Sequence, residues 1–241
     1  MTAEGFDEVT AAFREELTPL YREAGISLDP IRMDVMPEIP SAYSIHFGPR
    51  TDNVREMRTC RDKLISVDLS PHALFGLEAD VLLFSLCHEA GHHFGGAPYK
   101  PRICDGRGFT SGEGQADYWA ANVCLDRFRG RLAMPKSEVD LRILRSQCLK
   151  MGGKSATMDD IDRCILAGWE FFRLMQFHSR VEFGVDVPVN DFSDFKRLLY
   201  GHAPPVESGH IETEHASDRC RLETTMAGAL GLPRPVCWYR P

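Results

Sequence analysis

The strongest constraint on this chain is the segment CHEAGHH at residues 87–93. It places His88 and His92 four residues apart, and residues at this spacing lie on one face of an α-helix. Two neutral imidazoles that converge on one point are good zinc ligands. Glu89 follows His88 directly, so its carboxylate can reach a water at the metal without ligating the ion. The segment therefore predicts a helix with a metal-binding face.

A second pair of polar residues with helical spacing follows in the segment GEGQAD at residues 112–117. A catalytic zinc has three protein ligands and one water, and Glu113 is the candidate for the third ligand beside His88 and His92. Asp117 lies one turn further along the same helical face and is expected to hydrogen-bond a ligand histidine and fix its tautomer. The sequence therefore predicts one zinc ion per chain. The adjacent His93 points to another side of the helix and is not expected to be a ligand.

These two segments carry a resemblance to a known family. HEAGH followed by EGQAD resembles the gluzincin metallopeptidases, whose pattern is HExxH followed by ExxxD, and it is most similar to the M48 group of the Ste24 and HtpX type. The segment HASDRCR at 215–221 is similar to the HPxxxxR segment of that group, with Ala216 in place of the proline. The resemblance covers residues 82–128 and, more loosely, 215–230. The short interval between the two ligand segments is also similar to thermolysin-type enzymes.

The resemblance implies a zincin-like fold and hydrolysis of peptide bonds by a zinc-activated water, with Glu89 as general base. It also implies that His215 stabilises the oxyanion and that Arg221 helps to order the substrate or the site. The substrate would be a protein or peptide, which could pair with an edge strand at 42–47 or 63–68. Two alternatives stay open: a zinc amidase acting on non-peptide substrates, and a zinc-retaining binding protein with an occluded or inactive site.

Hydrophobic periodicity predicts a mainly α protein with a small β-sheet (α+β). Strands are expected at 42–47 and 63–68, and residues 179–210 are expected to be irregular. We expect a single domain over 1–241, with a division into two lobes, 1–135 and 136–241, as the alternative. The predicted helices are 5–24, 78–94, 111–129 with Ser111 as N-cap, 136–149, 158–178 and 212–230.

Charge and cysteine content limit the partners and the compartment. The formal net charge of -7 gives no reason to expect a nucleic-acid partner. No apolar stretch is long enough for a transmembrane segment, so the resemblance is to a soluble form, and no oligomeric state is indicated. The eight cysteines fit disulfides in an oxidising compartment. A periplasmic or secreted mature protein is therefore expected, with a cytoplasmic one as the alternative. Cys220 is predicted to pair with Cys237, and Cys87 to be a buried thiol or half of a disulfide.

Overall fold

The computed structural model describes residues 1–25, 27–28, 31–35, 43–47, 62–63, 65–69, 76–99, 111–183, 205, 210–211 and 216–240. This part of the chain is mostly helical and carries only short strands, which confirms the mainly α prediction. None of the described helices is long and apolar enough to cross a membrane.

The described helices agree with the sequence-based boundaries to within a few residues at most ends. A π-helical turn at Ala120–Cys124 joins α3 (Glu113–Trp119) to α4 (Leu125–Arg127) and interrupts what the sequence predicts as one helix. The helices are α1 (Ala3–Glu23), α2 (Ala79–Phe94), α3 (Glu113–Trp119), α4 (Leu125–Arg127), α5 (Glu138–Gly152), α6 (Met158–Phe183) and α7 (Asp218–Ala229).

Three predicted helix ends are wrong. The N-cap of α3 is Gly112, because Ser111 instead bridges to Tyr99 and uses its backbone N–H to bond the carbonyl of His92 at 3.0 Å. Helix α6 continues to Phe183, into the region that was expected to be irregular. The side chain of Ser217 accepts a hydrogen bond from the backbone of the third residue after it, so α7 begins at 218 rather than at 212.

The strands form small separate sheets. In the three-stranded sheet, β5 (Ile65–Leu69) is central, with β2 (Arg32–Val35) parallel on one side and β3 (Tyr43–Phe47) antiparallel on the other. The prediction that 63–68 offers a free edge is therefore wrong for β5, whereas β3 contacts α2 and lies at an edge of the sheet that the described residues form. The strands are β1 (Ser27–Leu28), β2 (Arg32–Val35), β3 (Tyr43–Phe47), β4 (Asp62–Lys63), β5 (Ile65–Leu69), β6 (His210–Ile211) and β7 (Tyr239–Arg240).

Helix α2 lies at the centre of the helical core. It contacts α1, α3 and α6, and every residue from Val81 to His92 is buried. This burial follows from its sequence, because the run VLLFSLC at 81–87 is apolar except for Ser85, whose hydroxyl donates to the carbonyl of Val81, and such a run requires neighbours all round. The large buried side chains of this core cluster are aromatic and aliphatic, and they include Phe6, Phe13, Leu17, Tyr21, Phe84, Phe128, Phe171 and Phe177. The candidate metal ligands on α2 are therefore carried by a deeply buried element of the described core.

Disulfides cross-link these helices. Cys87 of α2 bonds Cys124 of the π-helical turn, and this pairing fits the prediction of a disulfide at Cys87. Cys220 bonds Cys237, which confirms the predicted pairing of the C-terminal segment. A further disulfide, between positions 148 and 164, joins α5 to α6. The remaining cysteines, Cys60 and Cys104, lie outside the described residues.

Candidate metal centre

The close approach of α2 and α3 builds the site. Gly91, on α2, lies so near α3 that an added Cβ would be 2.5 Å from the carbonyl oxygen of Ala116. A side chain at this position would therefore hold the two helices apart. The absence of one brings Glu113, in the first turn of α3, to the face of α2 that carries His88 and His92.

Three buried side chains converge at this crossing. The Oε2 atom of Glu113 is 3.0 Å from Nε2 of His88 and 3.5 Å from Nε2 of His92. The ligand atoms of the three residues all lie within 4.8 Å of one another. Ligands at zinc bond lengths in a tetrahedral arrangement are about 3.3 Å apart, so these separations fit one ion. His88, His92 and Glu113 could therefore hold a metal ion.

The second ring nitrogen of each ligand histidine, Nδ1, also has a hydrogen-bond partner. Nδ1 of His92 lies 2.8 Å from the backbone carbonyl of Ser111, which can only accept, so this nitrogen donates. Nδ1 of His88 lies 2.8 Å from Oδ1 of Asp117 and donates to that carboxylate. With the proton on Nδ1, each ring presents the Nε2 lone pair to the metal position. The surroundings thus select the tautomer that a metal ion requires.

Asp117 connects the ligands to α7. Arg221 donates to both of its oxygens, from Nε at 2.8 Å and from Nη2 at 2.9 Å. Burial by itself raises the pKa of Asp117, but Arg221 and then His88 outweigh it and hold that pKa far below its usual range. Burial lowers the pKa of His88, and the carboxylates of Asp117 and Glu113 more than compensate, raising it to about 10. These carboxylates favour a positive charge at His88, which a bound metal ion would supply in place of the proton on Nε2.

Glu89 on α2 lies near a tyrosine of α1. Glu89 follows His88 and is only 7% exposed. Burial, and secondly the charge of Glu89, raise the pKa of Tyr21, a residue of α1. The hydroxyl of Tyr21 is 2.6 Å from Nδ1 of His93. His93 is thus outside the three-residue ligand group and contacts α1 instead.

Sequence reasoning missed two contributors to the site. Tyr21 lies within the predicted helix 5–24, but nothing local in the sequence indicates that this helix packs beside Glu89. The carbonyl of Ser111 was missed because a backbone acceptor has no residue-type signature. Arg221 was singled out, and it lies beside Asp117 with its guanidinium carbon 5.6 Å from the centre of the Phe171 ring. His215 lies outside the described residues.

This geometry defines the class of site: a buried group of two histidines and one glutamate that could hold a metal ion, with a further carboxylate behind one histidine. Comparisons of the chain with protein-family models, with curated proteins and with solved structures find no match.

Proposed function

We propose that this protein is a zinc-dependent metallopeptidase with a zincin-like fold, of the gluzincin type and similar to the M48 group. The observation that carries the proposal is the convergence of His88, His92 and Glu113 within 4.8 Å, with Glu89 next to the first ligand. Zinc suits this donor set because two imidazoles and one carboxylate leave a fourth position open in catalytic zinc sites. A purely structural zinc site has no need of that vacancy or of an adjacent carboxylate.

Zinc in such a site lowers the pKa of a water and polarises the scissile carbonyl. The protein's own residues do the rest. Glu89 accepts a proton from the attacking water while the oxygen of that water forms a bond to the carbonyl carbon of the substrate. Glu89 then delivers that proton to the amide nitrogen as the C–N bond breaks, so the products are a carboxylic acid and an amine. Asp117 and Arg221 keep His88 oriented throughout, because their charges stay paired within the protein.

Two parts of the proposal rest on the resemblance. His215 would donate to the developing oxyanion, a contact whose loss typically costs about 3 kcal/mol of transition-state stabilisation. An extended peptide would pair with β3, which lies at a sheet edge and contacts α2. We also propose a periplasmic or secreted location, which the disulfides among the described residues support.

The test combines metal analysis with a base-deficient variant. Purified or zinc-reconstituted protein should contain about one zinc per chain and should cleave denatured casein or a fluorogenic peptide library. Glu89→Gln should keep the zinc and lose at least a hundredfold in turnover, on the order of a general base's contribution. Glu23→Gln, at the exposed end of α1, is the matched control and should behave as wild type.

Each failure has a separate meaning. Absence of zinc from reconstituted protein would overturn the metal centre. Full activity in Glu89→Gln would remove that residue as the base. Bound zinc without hydrolysis of either peptide probe would overturn the peptidase assignment and favour the alternative of a zinc-retaining binding protein. Cleavage of a non-peptide amide alone would favour the amidase.

A further inference from the structure

The C-terminal segment packs directly behind a metal ligand. Trp238 is fully buried, and its indole lies against the first turn of α3. A Cβ added to Gly114 would be 2.4 Å from Cδ2 and 2.6 Å from Cε2 of that ring. Gly114 immediately follows the ligand Glu113 in the chain. The indole therefore occupies the space that any side chain at position 114 would need, and it contacts the backbone that carries the ligand.

One disulfide links the residue before Trp238 to the residue before Arg221, the arginine that pairs with Asp117. Cys220 precedes Arg221, Cys237 precedes Trp238, and the two cysteines are bonded to each other. Arg221 contacts Asp117, towards the C-terminal end of α3, whereas Trp238 contacts Gly114, at its N-terminal end. A single cross-link thus ties together two side chains that contact α3 at both of its ends. We refer to α7, residues 232–240 and this disulfide as the C-terminal clasp.

Additional contacts attach the clasp to the same helix. The hydroxyl of Tyr118 in α3 donates to the carbonyl of Leu232 at 2.7 Å. Gly228 of α7 approaches the backbone of Tyr118 so closely that an added Cβ would be 2.5 Å from its carbonyl oxygen. These contacts place the clasp along the length of α3. Strand β7, at the end of the clasp, also pairs with β6.

Helix α3 depends on such support. It has seven residues before the chain continues into the π-helical turn at Ala120–Cys124, and its N-cap Gly112 makes no side-chain capping hydrogen bond. Even the continuous helical segment at 113–127 has a length that is marginal on its own in water, so tertiary packing sets its position. Glu113 is the first residue of this helix, and small displacements of the first turn move its carboxylate relative to the two histidines on α2.

We propose that the C-terminal clasp is a positioning element of the metal centre, in which Trp238 and the Cys220–Cys237 disulfide set the location of Glu113 and thereby the metal affinity. The inference rests on the metal centre of the proposed function. It does not depend on which bond that centre hydrolyses. Loss of groups that orient metal ligands typically costs 10- to 100-fold in metal affinity, by order of magnitude.

The experiment compares two disulfides of nearly equal loop length. The clasp variant is Cys220→Ala with Cys237→Ala, and the control is Cys148→Ala with Cys164→Ala. The paired cysteines are 17 and 16 residues apart, so both variants lose a similar constraint on the unfolded chain. Zinc affinity is measured by competition with a chromophoric chelator, at a temperature where circular dichroism shows every variant folded. We expect roughly 10- to 100-fold weaker zinc binding in the clasp variant and less than about a twofold change in the control.

A second readout separates positioning from general stability. The visible spectrum of the Co²⁺-substituted protein reports ligand geometry, and it should change in the clasp variant but not in the control. Trp238→Phe keeps an aromatic ring and should give a smaller loss of zinc affinity than Trp238→Ala. If the double cysteine variant does not fold, the comparison of Trp238→Phe with Trp238→Ala tests whether the clasp sets zinc affinity.

Equal zinc affinity and equal cobalt spectra in the clasp and control variants would overturn the inference. So would equal zinc affinity in wild type and Trp238→Ala. Failure of wild-type protein to bind zinc would overturn the metal centre and the clasp's role with it. Weaker zinc binding in the clasp variant, in a protein that cleaves no peptide, would support the clasp while overturning the peptidase proposal.

Discussion

Asp117 is the shared hydrogen-bond partner of two buried side chains at the site, those of Arg221 and His88. It is completely buried, accepts two hydrogen bonds from Arg221, and accepts a third from His88. A buried cation that loses its partner is strongly destabilising, because it cannot recover its hydration. The carboxylate therefore serves the fold through Arg221 and the candidate metal centre through His88.

Replacement of Asp117 by Asn should affect both properties. The amide keeps the shape but leaves the charge of Arg221 uncompensated, so we expect the free energy of unfolding to fall by about 3–5 kcal/mol. The orientation of His88 is also weakened, so zinc affinity should fall about 10- to 100-fold. Urea unfolding and chelator competition measure the two effects. Asp126→Asn, at a half-exposed surface pair with Arg129, is the control and should change neither. Wild-type zinc affinity in Asp117→Asn would contradict the orienting role.

A buried carboxylate outside the candidate metal centre predicts a pH dependence of stability. Glu170 is fully enclosed and shares the guanidinium of Arg173 with Asp80 and Glu78. Burial raises its pKa to about 8, against the opposing effect of Arg173. Because the folded pKa exceeds the unfolded value, the stability that Glu170 contributes is fully present below the unfolded pKa. That stability is lost as the pH rises through about 8.

Glu170→Gln should remove this pH dependence. Wild-type protein should lose stability between roughly pH 5 and pH 8, with a limiting slope of about 1.4 kcal/mol per pH unit from this residue. The glutamine variant should show a flatter profile over the same window, with other groups unchanged. Urea titrations at several pH values measure the two profiles. Parallel profiles for the two proteins would show that Glu170 is already ionised in the folded state at the lower pH.

At the scale of elements, the crossing of α2 and α3 determines the site. Gly91→Ala would place a methyl group 2.5 Å from the carbonyl oxygen of Ala116, a distance that requires the helices to separate. We expect zinc affinity to fall at least tenfold and the protein to lose about 1–3 kcal/mol of stability through overpacking. Gly130→Ala, where an added Cβ meets nothing within 4 Å, is the control. Unchanged zinc affinity in Gly91→Ala would show that the crossing tolerates a wider spacing.

The elements differ in how far the sequence reveals them. The predicted ends of α2 and the ligand pairs on α2 and α3 follow from local period and spacing, and the structure places these pairs at one crossing. The predicted N-cap of α3, Ser111, was wrong because its backbone N–H bonds the carbonyl of His92 on α2, which is a tertiary contact. The central position of β5 was missed for the same reason, since strand order depends on chain segments that are distant in sequence. Trp238 against Gly114 likewise has no local signal.

At the scale of the whole molecule, the site joins parts of the chain that are far apart in sequence. Ligands come from α2 and α3, and the partner of Asp117 comes from α7. Disulfides fasten two of these parts, at Cys87–Cys124 beside His88 and at Cys220–Cys237 beside Arg221. The unfolded chain holds the ligands in no fixed relation, so an ion that binds this centre binds the folded state preferentially. Metal binding and global stability are therefore expected to be linked.

Metal removal should lower the thermal stability of the whole protein. Zinc at a hundred times its dissociation constant stabilises the folded state by about 2.7 kcal/mol. For a chain of this size, that corresponds to a rise in Tm of roughly 5–10 °C. Calorimetry with zinc and with excess chelator measures the difference, and magnesium, which prefers six oxygen ligands, should give none. In Glu113→Ala the zinc-dependent shift should largely disappear, because one of three ligands is lost. An equal shift in Glu113→Ala and wild type would place the stabilising ion elsewhere in the protein.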